Sequence, residues 1–187
     1  SQDEEAGLLF MREEEKLARD VYQTLFETWN QPVFENIARS EQAHMDAIET
    51  LIDRYGLDDP VMGNEPGEFT NQELQALYND LVARGSESLS EALAVGATIS
   101  EIDILDLQAH IDEAEAADIV RVYENLLRGS RNHLRAFVSA LERQTDETYE
   151  PQYLDLDVYE EIIGGSTETG SEGSRRGSGR QSSSSAG

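Results

Sequence analysis

The 187 residues carry 39 acidic against 14 basic side chains, a formal net charge of −25, and no cysteine. The missing thiols exclude disulfides, thiolate zinc sites, cysteine nucleophiles and cysteine-bound iron–sulfur clusters, so any metal must be held by carboxylates, imidazoles or water. The charge argues against nucleic acid and anionic membranes as partners, and no apolar run reaches membrane-spanning length, so no membrane insertion is expected.

The length suits one domain with a tail. Helical periodicity runs from Asp3 to Trp29, where Asn30-Gln31-Pro32 breaks it, and again from Pro32 to Tyr55, stopped by Gly56. A loop follows over Asp58–Gly67. Thr70 then reads as an N-cap, with Glu73 completing a capping box and Phe69 with Leu74 a hydrophobic staple. That short helix ends near Arg84-Gly85. Ser88 with Glu91 starts the next, which runs to Ile111, and the last long helix spans Ala116–Arg143. Period-2 alternation is missing throughout, so the expected class is all-α. It is a four-helix bundle with a short extra helix in the long crossover between helices two and three, a connection that ferritin-like bundles use.

The expected organisation is a bundle over residues 3–145, an acidic and aromatic extension over 146–163 that packs on it, and a flexible Gly/Ser-rich tail over 164–187. Lys16 is the only lysine. An acidic, lysine-poor composition resembles that of salt-adapted (halophilic) proteins, where high ionic strength screens self-repulsion. The chain begins with Ser1 rather than methionine, which reads as processing.

Steps of three and four place residues on one helical face. On helix one they pick out Leu8, Met11, Glu15, Ala18, Tyr22, Leu25 and Trp29, and on helix two Phe34, Ile37, Glu41, His44, Ile48, Leu51 and Tyr55. On helix three they give Ala94, Ala97, Glu101, Ile104, Gln108 and Ile111. Helix four gives Ile119, Tyr123, Leu126, Ser130, His133, Phe137 and Ala140. Each stripe is apolar at its ends and polar in its middle. Buried carboxylates are costly unless paired or metal-bound, so four converging polar mid-sections point to a shared cation. Glu15, Glu41, His44, Glu101 and His133 are the candidate ligands, an oxygen–nitrogen set that favours iron, with manganese or another divalent metal as alternatives.

Each feature alone is weaker than the set. Acids are so common here that Glu-x-x-His arises easily by chance. The run Glu13-Glu14-Glu15 reads by itself as a solvated face, and helix phase leaves Glu14 and Glu15 both open as the ligand. His133 alone reads as a core histidine, and His110, near a helix end, as a partner of the helix dipole. Gly129 costs about 1 kcal/mol relative to Ala in a helix interior, and either a close helix approach or a kink accounts for it.

The stretches "GLLFMREEEKLARDVYQTL", "FENIARSEQAHMDAI", "ALAVGATISEIDILDL", "YENLLRGSRNHLRAF" and "YEPQYLDLDVYEEII" resemble the DUF2202 family and, more widely, the ferritin-like superfamily of rubrerythrins and bacterioferritins. The wider resemblance implies a di-iron carboxylate centre with one Glu on each of two helices and Glu-x-x-His on each of the other two. The relatives' Glu-x-x-Ala with Tyr seven residues after the Glu favours Glu15, with Ala18 and Tyr22. Glu41-x-x-His44 matches the second-helix motif, and Glu101 the third-helix glutamate. The fourth helix departs, reading Ser130-x-x-His133 where a glutamate is expected, which leaves one or two ions open. Asp103 and Asp106 lie close by but off the stripe.

The implied activity is a ferroxidase- or peroxidase-like oxidoreductase acting on dioxygen or peroxide, with Tyr22 or Tyr123 beside the metal. The resemblance also tilts the location toward extracytoplasmic or cell-surface, with homo-oligomerisation open. The alternative is a metal-free structural or self-assembling surface protein. A hydrolase finds no support, since Ser130 and His133 lack a nucleophile turn or oxyanion-hole motif.

Overall fold

Ser1 and Glu4 cap each other reciprocally at the first turn of α1 (Gln2–Trp29), which ends where Asn30 turns left-handed. Pro32 opens α2 (Pro32–Tyr55) at a position where its missing N–H is harmless, and Gly56 closes it. The computed structural model describes residues 1–169 and continues with α3 (Gln72–Gly85), α4 (Leu89–Glu113), α5 (Ala117–Thr145) and α6 (Leu156–Gly164). Among the described residues there is no strand, and no helix is long and apolar enough to cross a membrane.

The architecture is an all-α bundle of two helical hairpins, α1–α2 and α4–α5, joined by a long crossover that carries α3. Trp29 Nε1 donates to the Gly85 carbonyl and ties the end of α1 to the end of α3. The rings of Tyr22, Phe34 and Phe137 cluster with centroids 5.0–6.5 Å apart. Gly96 of α4 admits Phe137, since a Cβ there would lie 2.4 Å from the ring. Each such buried ring contributes roughly 1.5–3 kcal/mol relative to exposure.

The N-cap of α3 is Asn71, not Thr70. Its side chain accepts from the Glu73 and Leu74 amides, while the Thr70 hydroxyl donates to the Pro60 carbonyl within the loop. Glu13 fixes this junction from α1, accepting the Thr70 and Asn71 amides.

Helix α1 is buried on a second face as well. Arg12 pairs with Asp59 and Glu49 and donates to the Met45 carbonyl. Lys16 Nζ lies 2.6 Å from Asp20 and donates to the Glu65 and Glu68 carbonyls, and Asp20 accepts the Gly67 amide. The crossover loop therefore lies over α1 and is pinned by charges that sequence periodicity alone assigns to solvent.

The segment after α5 returns over α4. Glu101 holds it, accepting the Tyr149 hydroxyl at 2.5 Å and the amides of Gln152, Tyr153 and Leu154 at 2.7–3.1 Å. Helix α6 then packs on α5. The expected tail boundary at 164 falls at the end of this helix, and Glu168 beyond it forks onto Arg131 and pairs with Arg135. The expected Gly/Ser-rich tail lies, from residue 170 on, outside the described residues.

Candidate metal centre

Four side chains meet at mid-bundle from three helices: Glu15 of α1, Glu41 and His44 of α2, and His133 of α5. Glu41 Oε2 lies 2.8 Å from His44 Nδ1, and Oε1 lies 2.9 Å from His133 Nδ1. Glu15 Oε2 stands 3.2 Å from His44 Nδ1. The two imidazoles stack at 5.5 Å. Donor atoms of Glu41, His44 and His133 all fall within 4.8 Å of one another.

The contacts are short but badly aimed as hydrogen bonds. Neither Glu41 oxygen, nor Glu15 Oε1, nor His133 Nδ1 has a hydrogen-bonding partner, although all are buried. Buried donor atoms about 3 Å apart that lack hydrogen-bonding partners have the spacing of ligands at adjacent corners of an octahedral ion. The residues present therefore fit a cation with mixed oxygen and nitrogen ligands.

The surroundings orient the rings. Ser40 Oγ is 3.0 Å from His133 Nε2, on the side away from Glu41, the outer contact that fixes a ligating histidine. Gly129 makes room for His44: a Cβ there would lie 2.6 Å from Nε2. The chain stays helical through this point, and the close approach of His44 accounts for the glycine.

Burial pushes the Glu15 carboxyl up to about 7 against the pull of His44. Burial works the same way on Glu41, but His133 and His44 overcome it and hold that group well below the usual range. His44 is raised, because Glu15 and Glu41 outweigh its desolvation.

Glu101, the expected third-helix ligand, points elsewhere: both its oxygens are taken by the returning C-terminal segment. Asp103 takes its place on the inner face. It is fully buried, neither oxygen has a partner, and it senses Glu15, Glu41 and His44. Two residues on a helix lie about 200° apart, so these two acids serve opposite faces. Glu14 is buried too, and burial, with the negative charges of Asp103 and Asp106, raises its carboxyl well above the usual range. Ser130 sits on the inner face but donates to the Leu126 carbonyl of its own helix, so α5 brings an imidazole and no carboxylate. Tyr22 is near the cluster, within the field of Glu41 and Asp103. Tyr123 is at the far end, its ring 5.9 Å from that of His110.

Residues 4–166 match the family described as "Uncharacterized protein domain (DUF2202)". The chain belongs to the DUF2202 family. It is 51% identical over 170 residues to "Uncharacterized protein MJ0754" of Methanocaldococcus jannaschii, covering 91% of each chain. It also superposes on the crystal structure of hypothetical protein MJ0754 from Methanococcus jannaschii with a TM-score of 0.86, at 50% identity, covering 90% of this chain and 95% of that one.

In this DUF2202 chain the missed residues had a readable signal. Ala92, Gly96, Ser100, Asp103 and Leu107 form a second stepped stripe on α4. Two buried stripes on one helix mean that it is covered on two sides.

Proposed function

We propose that this protein is a ferritin-like metal-binding protein whose bundle core holds an iron ion through Glu15, Glu41, His44 and His133. The observation that carries this reading is Glu41, fully buried, with each oxygen within 2.9 Å of a different imidazole nitrogen and neither satisfied by a hydrogen bond. The bundle with its single crossover is the frame in which such carboxylate–histidine centres occur.

A bound iron supplies redox chemistry toward dioxygen or peroxide, and manganese is the substitute that the same donors accept. Glu15 and Glu41 provide the anionic charge that a cation requires, while Ser40 and Gly129 hold the rings at their angles. Tyr22 is fully buried, its hydroxyl 3.4 Å from the Gly96 carbonyl, within reach of the charges of Glu41 and Asp103. The exclusion of water by the surrounding apolar core strengthens every charge interaction inside.

The test is metal content per chain by elemental analysis, after purification without chelator and again after loading with ferrous iron. At least one ion is expected, and Glu41→Ala with His44→Ala should remove it. Unchanged stoichiometry in that variant refutes the assignment. No metal under either condition, with no loss of stability on chelation, returns the cluster to a metal-free polar network and the protein to a structural scaffold.

A further inference from the structure

Arg131 and Arg135 stand one turn apart on α5, and like charges at that spacing repel unless an anion lies between them. Glu168 supplies it. Its carboxylate takes the Arg131 fork, Nε to Oε1 at 2.7 Å and Nη2 to Oε2 at 2.5 Å, and accepts from Arg135 Nη2 at 3.0 Å. Two parallel N–H donors on one carboxylate are the geometry by which arginine recognises that group. The segment that brings Glu168 has little other hold. Residues 164–167 are exposed, and the remaining hydrogen bonds of Glu168 go to Asn132. Ion pairs open to solvent contribute little, so a carboxylate from another molecule can take the place of this one.

Beside the two guanidinium groups, α4, α5 and the returning segment with α6 enclose a groove of about 780 Å³, a volume in the range of small-molecule sites. Its apolar wall is built from Ile104, Leu105, Leu127, Tyr153, Val158 and Ile162. Leu105, Tyr153 and Val158 are three of the six large apolar side chains left exposed among the described residues, and such a concentration marks a binding surface. The net charge of −25 disfavours an occupant with many negative charges, a second copy of this chain included. A single carboxylate on an apolar chain suits both the arginine fork and the wall. Arg131 lies two residues from His133, about 200° round the helix, so the groove and the metal centre use different faces of α5 and neither depends on the other.

We propose that this groove binds a fatty acid, whose carboxylate displaces Glu168 from Arg131 and Arg135 and whose chain lies along the apolar wall.

The experiment is calorimetric titration of the full chain with decanoate below its micellar concentration, with decanol as the uncharged control. The expected result is one decanoate per chain, bound roughly tenfold more weakly by Arg131→Gln and by Val158→Asp. Decanol should bind weakly by a similar factor. Glu168→Gln should bind decanoate roughly threefold more tightly, since the internal competitor is gone. These opposite signs separate a ligand site from a merely structural ion pair, whose two halves act alike when removed. No saturable binding by either the unaltered chain or Glu168→Gln overturns the site. Binding that Arg131→Gln and Val158→Asp leave unchanged also overturns it, because the ligand then sits elsewhere. Equal affinity for decanol, or an unchanged affinity in Glu168→Gln, overturns the exchange of carboxylates. A dimer that Val158→Asp splits and decanoate does not gives the groove to a second copy and likewise overturns the proposal.

Discussion

His44 owes its position to a residue that has no side chain. Alanine at Gly129 would be a better helix former by about 1 kcal/mol, yet its Cβ would stand 2.6 Å from His44 Nε2. Overpacking of this kind costs roughly 1–3 kcal/mol. Gly129→Ala is therefore expected to gain no thermal stability and to weaken metal binding at least tenfold, the size of effect seen when ligand support is lost. Thermal unfolding together with a manganese titration checks this; a stabilised variant with intact binding would show that the ring has room to turn.

Glu41, His44 and His133 were legible in the sequence because spacing of three or four and a polar mid-stripe mark an inward face. Glu101 and Asp103 were exchanged for a physical reason: α4 is buried on both sides, so periodicity offers two inward faces and does not say which one meets the bundle. Glu101→Gln removes a charge that four donors share. It should cost roughly 1–3 kcal/mol and speed amide exchange at Tyr153 and Leu154. Metal content should stay the same; a fall in bound metal would place Glu101 back among the ligands.

At the scale of whole elements, helix phase and end signals located α2 to the residue and α1, α4 and α5 nearly so; Pro32 and Gly56 bound α2 and Ser88 opens α4 through local chemistry, while phase alone marks α5. What stayed hidden was the covering of α1 by the crossover loop. Arg12, Glu13, Lys16 and Asp20 look like surface charge, and only tertiary contact gives each its partner.

The segment after α6 was hidden in the same way, since its low complexity gives no hint of docking. Glu168 grips α5 through Arg131 and Arg135, and the Arg131 pair above all draws its carboxyl down to about 2. A carboxyl lowered on docking adds stability above its ordinary range near 4.5 and loses it as pH falls toward 2. The protection factor of the Glu168 amide, whose N–H donates to Asn132, should fall over that window while the bundle amides stay protected. Equal protection at pH 5 and pH 2.5 would mean that the ion pairs do not hold the segment.

For the molecule as a whole, a net charge of −25 on 187 residues sets up self-repulsion that salt relieves, with a screening length of about 8 Å at physiological ionic strength and about 3 Å at 1 M. Thermal stability of the metal-loaded protein should rise with potassium chloride between 0.1 and 2 M. A flat response counts against the salt-adapted reading of the composition. Class and helix order were readable at this scale, since absent alternation and four long periodic segments leave few all-α arrangements. The second face of α4 was not, because it is set by residues some fifty positions away.

The burial of Lys16 has a chemical corollary. Its ammonium is sealed under the crossover loop by Asp20 and two carbonyls, and it is the only lysine in the sequence. No ε-amine is presented to solvent. Acylating reagents, amine-directed cross-linkers and lysine-conjugating enzymes find no side-chain target on the folded chain, and modification at Lys16 would serve as a chemical clock for the lifting of that loop.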